Sequence, residues 1–251
     1  MSFLNWCVVI LAAGKGKRMK SEIPKVLHEI AGEPMILRVI KSAKSVSENI
    51  VVVVGHKADM VKDRLKEESG LRFALQKDQK GTGDAVQSAV PFLGEEVQDV
   101  LVLCGDTPLI KSETLHLFIK KHMVSKCAVS VLTMKVEEPA GYGRIILDSN
   151  EDILKIVEEA DANVMEKSVK LVNTGIYAFN RKFLEASLTK ISCNNAQSEY
   201  YLTDLIGLAS FDQDLKAVHY CLENNIEAVG INSPEQLKKA EALFLENCSV
   251  A

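Results

Sequence analysis

The 251 residues carry no excess of cations: 30 Lys and Arg stand against 34 Asp and Glu, a formal net charge of −4 with His neutral. A globally basic surface of the kind that holds nucleic acid or an anionic membrane is excluded, so any anion site must be local. Paired-cysteine frameworks are missing too. The six cysteines, Cys7, Cys104, Cys127, Cys193, Cys221 and Cys248, are scattered, with no C-x-x-C and no Cys/His spacing for zinc. They read as reduced thiols of a cytoplasmic protein. No run approaches the ~20 uninterrupted apolar residues that a membrane span needs. FLNWCVVILAAG lacks the flanks of a signal peptide, because its cations follow the apolar run instead of preceding it. There is no linker, low-complexity tract or solenoid repeat. The five histidines, His28, His56, His116, His122 and His219, show no H-x-x-x-H or H-E-x-x-H spacing and read as surface or packing residues.

What the chain does have is apolar content, 47%, in a regular alternation. Runs without polar alternation (WCVVIL, IVVVV, LRFAL, VLVLC, AVSVLTM) are separated by amphipathic stretches (PMILRVIKSAKSV, ADMVKDRLKEE, GDAVQSAVPFL, ETLHLFIKKHM). Strands apolar on both faces between such helices predict an α/β fold, a doubly wound and mostly parallel Rossmann-like sheet with helices on both faces. The pattern breaks after Met134. Residues 135–161 offer short strands split by Gly, Asp and Asn turn signals, which predict a small β-ribbon insertion. It resumes with KLVNTGIYAFN, EYYLTDLIGLAS, AVHYCL and a strand EAVGIN that ends at Asn232. A capping box at Ser233 to Gln236, with Pro234 at the first helical position, predicts a final helix.

The first strand-to-helix loop of an open parallel sheet usually lies at its ligand-binding edge. Here that loop is LAAGKGKRMKSEIPK, where Gly14 and Gly16 free the backbone to turn toward an anion. Lys15, Lys17, Arg18, Lys20 and Lys25 supply charge. A Walker A loop is excluded, since Met19 stands where the second glycine belongs. A dinucleotide loop is disfavoured because IVVVV ends in Gly55-His56 with no acid for a ribose. Asp106 follows VLVLC and Gly105, which puts a hard carboxylate at the same edge, where it suits Mg²⁺ shared with phosphates and water or, with Thr107-Pro108 next to it, serves as a turn or helix-cap residue. Gln76 and the Gly81-Thr82-Gly83 segment form a polar loop whose amide offers a donor and an acceptor.

L-A-A-G-x-G-x-R-M followed by P-K, from Leu11 to Lys25, resembles the signature loop of nucleotidyltransferases that join a nucleoside triphosphate to a phosphorylated small molecule. The continuation PKVLHEIAGEPMI, with QKGTGDA, CGDTPL, GYGRI, NTGIY, NNAQSEYYLTD and GINSPEQL, is most similar to one group of them. That group is the uridylyltransferase domains of bacterial bifunctional N-acetylglucosamine-1-phosphate uridylyltransferase/glucosamine-1-phosphate acetyltransferases. The resemblance implies transfer of UMP from UTP to N-acetylglucosamine 1-phosphate with release of pyrophosphate. Its small-molecule partners are those two substrates, its cofactor is Mg²⁺, and nucleic acid and membrane play no part.

By the same carry-over, Arg18 and Lys25 act on the triphosphate, and Leu11, Ala12, Ala13, Gly14, Gln76, Gly81, Thr82 and Gly105 bind the nucleotide. Gly143, Glu158, Asn173, Thr174 and Asn232 meet the acceptor, and Asp106 and Asn232 hold the metal. Tyr200 and Tyr201 match as well but stay outside the site. A single domain is expected over 1–251, with 1–134 serving the nucleotide, and 135–251 serving the sugar phosphate and carrying the last helix. The bifunctional enzymes continue into a left-handed β-helix of hexapeptide repeats. None is visible here, so neither acetyl transfer nor β-helix trimerisation is expected, and the oligomeric state is open. Two departures stand out: Cys104 where the group commonly has Tyr, and Ala160 where it often has a basic residue. Another base or acceptor, or a sensor that has lost catalysis, are the competing readings. A sensor is disfavoured because Arg18, Lys25, Asp106 and Asn232 are all present.

Overall fold

Strands that are apolar on both faces have to be covered on both faces, and the chain does this with helices assigned almost in turn to opposite sides. A computed structural model of the protein describes residue 3, residues 5–212 and residues 214–249. The element order is β1 (Trp6–Ala12), β2 (Glu29–Ile30), β3 (Glu33–Pro34), α1 (Met35–Lys44), β4 (Ile50–Val54), α2 (Ala58–Arg64), β5 (Leu71–Leu75), α3 (Thr82–Ala89), β6 (Asp99–Cys104), α4 (Ser112–Ser125) and β7 (Val129–Lys135). Then follow β8 (Arg144–Leu147), β9 (Ile153–Val157), α5 (Val164–Lys167), β10 (Leu171–Asn180), α6 (Arg181–Leu188), α7 (Asp204–Ser210), β11 (Ala217–Cys221) and α8 (Pro234–Ser249).

The main sheet runs β11-β7-β10-β6-β1-β4-β5. Within it only β10 is antiparallel to its neighbours, β6 and β7. Along β1 and β4, Val8, Ile10, Ile50, Val52 and Val54 join one buried cluster with Ile36 and Ile40 of α1 and Phe118 of α4. The alternate residues Cys7, Val9, Val51 and Val53 join a second cluster with Val86 of α3, Leu184 of α6 and Leu205 of α7. This alternation is why the strands read as unbroken apolar runs. The expected mostly parallel, doubly wound sheet is borne out.

The expected ribbon is present as β8 and β9, antiparallel to each other. It meets the main sheet through one register pair, Val172 with Arg144. One expected strand is absent. EAVGIN does not form a strand: Asn225–Ala228 make a 3₁₀ turn whose Asn224 side chain accepts from the Ile226 N–H at 3.2 Å. Glu227 is then buried, accepting from Thr114 Oγ1 at 2.5 Å and the Lys111 N–H at 3.3 Å. A carboxylate that must be satisfied internally bends this segment away from any strand ladder. No described helix is long and apolar enough to cross a membrane.

Candidate active site

The loop after β1 is shaped by two left-handed residues, Gly16 at φ 56° and Lys20 at φ 51°, which bracket a 3₁₀ turn at Lys17–Met19. A Cβ on Gly16 would also lie 2.7 Å from Lys25 Cβ, so glycine is needed for conformation and for space. The neighbouring end of β6 is equally close. The Gly105 N–H donates to Leu11 O at 2.9 Å, and a Cβ there would meet that oxygen at 3.0 Å. These approaches draw the carboxyl ends of β1 and β6 together around a cleft of about 450 Å³.

Lys25 is the hub of that cleft. Its ammonium pairs with Asp106 Oδ2 and donates to Asn232 Oδ1 at 2.9 Å, and the Lys25 and Asp106 side chains are each only 16% exposed. Asn232 arrives from more than 200 residues away because the Ile231 N–H donates to Asp106 O at 2.9 Å, pinning the segment before α8 to the β6 loop. The capping box is shifted by one residue: Gln236 N–H reaches Ser233 Oγ at 3.3 Å, while Gln236 Oε1 accepts from the Asn232 N–H at 2.7 Å. That bond also holds Asn232 in place. Two hard oxygens thus converge on one cation position, taken here by the lysine ammonium, and this donor chemistry fits a divalent ion such as Mg²⁺. No group of three or more His, Cys, Asp or Glu gathers for a metal among the described residues. An ion held by Asp106 and Asn232 would need its remaining ligands from phosphate and water.

On the opposite wall, Leu11, Ala12, Ala13, Gly14, Gln76, Gly81 and Thr82 line the cleft. The role of Gln76 is narrower than expected. It is 3% exposed and its Nε2 donates to Gly81 O at 3.0 Å and Asp84 Oδ2 at 2.7 Å, so both amide hydrogens are committed and only the oxygen can serve a ligand. Gly81, at φ 112°, packs where a Cβ would lie 2.5 Å from Tyr200 O. Thr82 Oγ1 accepts from the Leu202 N–H at 3.0 Å, so this wall is locked to the segment before α7.

Arg18 is not brought into the cleft. It sits exposed in the middle of the 3₁₀ turn, while Lys15 and Lys17 line the cleft instead. Burial raises the Tyr142 phenol above its ordinary pKa, the nearby Asp106 charge adds to this, and Arg18 opposes it. Cys104 also lines the cleft, with its Sγ donating to Gly175 O at 3.5 Å. Burial pushes its thiol up to about 12, Asp106 adding to the shift, so it stays a neutral packing group.

Three residues expected to meet the acceptor, Gly143, Glu158 and Asn173, gather where the ribbon joins β10. A Cβ on Gly143 would touch Ile156 Cγ2 at 3.1 Å, Glu158 Oε2 at 3.4 Å and Asn173 Cβ at 3.5 Å. Glu158 Oε1 accepts from Thr203 Oγ1 at 3.0 Å. Burial raises the Glu158 carboxyl above the usual range, and Asp204, Asp161 and Glu199 add to it against the Thr203 hydrogen bond. Thr174 does not join them. It is buried, donating to Leu132 O at 2.7 Å and accepting from the Ile176 N–H at 3.2 Å, so its hydroxyl is used up at the register shift of β10 between Asn173 and Tyr177. Ala160 is exposed at the end of the ribbon. Sequence reasoning passed over Gln79 and Glu199, which also line the cleft. Gln79 had a signal, being in the same polar loop as Gln76, whereas Glu199 is placed by long-range backbone pairing of Tyr200 with Lys80 at 2.7 Å.

A family model for nucleotidyl transferases matches residues 7–226. The bifunctional protein GlmU of Clostridioides difficile (strain 630) is 46% identical over 242 residues, 96% of this chain and 52% of that protein. GlmU of Fervidobacterium nodosum is 48% identical over 236 residues, 94% of this chain and 50% of that protein. The chain thus spans about half the length of these relatives. Among solved structures, UDP-glucose pyrophosphorylase complexed with UDP-glucose superposes with a TM-score of 0.77 at 21% identity, covering 98% of this chain and 100% of that one. HddC from Yersinia pseudotuberculosis complexed with GMP-PN gives 0.69 at 22% identity, covering 95% and 99%. At these identities the structures bear on the fold alone.

Proposed function

The chain belongs to the nucleotidyl transferase family, and on that footing we propose that it transfers UMP from UTP to N-acetylglucosamine 1-phosphate, giving UDP-N-acetylglucosamine and pyrophosphate. The observation that carries this reading is the convergence of Lys25, Asp106 and Asn232 at the carboxyl edge of the sheet, beside the cleft that Gln76 lines. Such a reaction brings two anions together, so alignment and charge stabilisation matter more than a protein nucleophile. Mg²⁺ between Asp106 and Asn232 supplies charge stabilisation to the phosphates when bound. Lys25, released from those two oxygens, faces the triphosphate and stabilises the charge that develops on the leaving pyrophosphate. Arg18, Lys15 and Lys17 lower the cost of holding that polyanion.

Leu11, Ala12, Ala13, Gly14, Gly81, Thr82 and Gly105 give the nucleotide a close-fitting backbone wall. The free amide oxygen of Gln76 matches the N3–H of uracil, whereas cytosine presents an acceptor there, which favours UTP over CTP. Gly143, Glu158 and Asn173 orient the hydroxyls of the acceptor, with Asn232 shared between acceptor and metal. Residues 1–134 serve the nucleotide and 135–251 the sugar phosphate, in one domain that works in the cytoplasm on small molecules. The deciding experiment measures pyrophosphate release with each nucleoside triphosphate and a panel of sugar 1-phosphates, with and without Mg²⁺. Turnover with UTP and N-acetylglucosamine 1-phosphate that needs Mg²⁺ supports the proposal. Activity confined to CTP, or none with any pair, rejects it.

A further inference from the structure

At the amino ends of β6 and β7, the edge opposite the nucleotide cleft, lies a second cavity of about 980 Å³. Lys126 ends α4 in the left-handed conformation at φ 49°, and the reversed chain delivers Cys127 to the start of β7. Cys127 Sγ lies 3.4 Å from His122 Nδ1 and 3.1 Å from Ser130 Oγ, and Ser130 Oγ is 2.8 Å from the same Nδ1. On the far side of the ring, His122 Nε2 stands 3.9 Å from Asp99 Oδ1. Trp6 packs edge-on against the imidazole, with ring centroids 5.6 Å apart. The cavity walls add Lys126, Lys182, Lys190 and Lys216 against the acids Asp99 and Asp214. Nothing in nucleotidyl transfer uses these groups.

The constellation is a nucleophile, a base in contact with it and a carboxylate facing the base, opening on a cation-rich cavity. Burial alone holds a thiol neutral. Here burial is outweighed by the hydrogen bond and charge of His122 and the hydrogen bond of Ser130, which bring the Cys127 thiol below its ordinary pKa. Burial likewise works against His122, and contact with Asp99 and Cys127 brings it up to about 9. Both shifts run toward a thiolate–imidazolium pair.

We propose that Cys127 is a nucleophilic thiol site that exchanges with small anionic disulfides, with His122 holding its proton and the lysines of the cavity drawing the anion in. In the step, the Cys127 thiolate attacks one sulfur of the incoming disulfide. A new S–S bond forms at Cys127, the original S–S bond breaks, and the second half leaves as a thiolate that takes up a proton. The small disulfide is the oxidant and is reduced to one thiol per Cys127 modified.

The test incubates the whole protein with oxidised glutathione, which is anionic, or cystamine, which is cationic, and follows each cysteine by peptide mass spectrometry. Cys193 and Cys221 are exposed, and no hydrogen bond joins either to an imidazole among the described residues. With oxidised glutathione at pH 7, Cys127 is expected to react roughly tenfold faster than these two despite its burial. It should also prefer oxidised glutathione to cystamine, a preference that high salt and a Lys126→Ala, Lys216→Ala double variant both erode. His122→Asn is expected to slow the exchange by about tenfold. Modification of Cys127 no faster than of Cys193 in the unaltered protein overturns the proposal without recourse to any variant. Equal rates with the two disulfides overturn its anionic specificity.

Discussion

The two sides of the proposed site are built differently. The proposed nucleotide wall consists of loops leaving β1, β5 and β6, held to the sheet by backbone bonds such as Gly105 N–H to Leu11 O at 2.9 Å and Gln76 N–H to Val54 O at 2.8 Å. The proposed acceptor side is the ribbon β8–β9, which lies beside the cleft lining, joins the main sheet through the Val172–Arg144 pair and the Asn173 N–H bond to Gly143 O at 2.9 Å, and is otherwise tied by side chains. Arg144 closes the ribbon on itself through Glu159 at 2.7 Å, while Thr203 and Tyr201 hold it from outside through Glu158 and Asp161, each at 3.0 Å. A wall set by backbone suits the alignment of reacting phosphates, and a wall set by exchangeable side chains suits discrimination between acceptors. If that division holds, substitutions on the first wall act mainly on kcat and those on the second mainly on the acceptor KM.

The strongest test of the division is Lys25→Ala. It removes the cation shared by Asp106 and Asn232, and loss of one charge aimed at the transition state costs on the order of 10²–10³ in kcat. The acceptor KM should move much less. Steady-state kinetics with UTP and N-acetylglucosamine 1-phosphate decide, and an unchanged kcat removes Lys25 from catalysis. A second test is smaller. Gln76→Ala is expected to raise the UTP KM by about tenfold while narrowing the preference for UTP over CTP. It also strips Asp84 of its amide partner at a cost of roughly 1–3 kcal/mol, read as a lower denaturation midpoint.

On the acceptor wall, Glu158→Gln should raise the acceptor KM several-fold with a lesser change in kcat, roughly a 1–2 kcal/mol loss of binding. It should also stabilise the fold at neutral pH. The carboxyl pKa of Glu158 is raised in the folded state by burial and by Asp204, Asp161 and Glu199. The folded protein therefore holds the proton where the unfolded chain has lost it. The stability this gives is complete below the unfolded pKa and disappears as pH rises through the folded one. A neutral glutamine still accepts the Thr203 hydroxyl and carries no charge at any pH. The melting temperature of the variant should thus exceed that of the parent at pH 7, by at most roughly 2 °C in a chain of this size, and match it near pH 4. A lower melting temperature at pH 7 rejects the assignment.

The same contrast explains how much was legible in the sequence. The unbroken runs WCVVIL, IVVVV and VLVLC announce strands buried on both faces, and the glycines after β1 announce a close approach, because both signals are local. Lys25 and Asp106 were legible as a cation and a carboxylate at one edge of the sheet, but Asn232 joined them only through a family resemblance. Their meeting depends on the backbone bond from Ile231 to Asp106, which no local pattern encodes. EAVGIN misled because its alternation looks like a strand, while the burial of Glu227 against Thr114 is a tertiary fact. Arg18 and Thr174 misled in a second way. The motif locates them, but a 3₁₀ turn leaves one on the surface and a bulge turns the hydroxyl of the other into the sheet.

Ala160→Lys probes the division where its effect is smallest. The position is exposed on the ribbon, two residues from Glu158, so a lysine there meets no packing obstacle. An exposed charge acting through water on a phosphate contributes only about 0.2–1 kcal/mol. The acceptor KM should therefore fall by about two- to threefold, with kcat unchanged because nothing on the nucleotide wall has moved. Screening over a Debye length of about 8 Å at physiological salt makes the gain salt-dependent. Repeating the titration at high ionic strength should erase it. A gain that survives high salt would mean that the lysine has made a direct, partly buried contact, and the ribbon would then be fixing the acceptor phosphate as firmly as the sheet fixes the nucleotide.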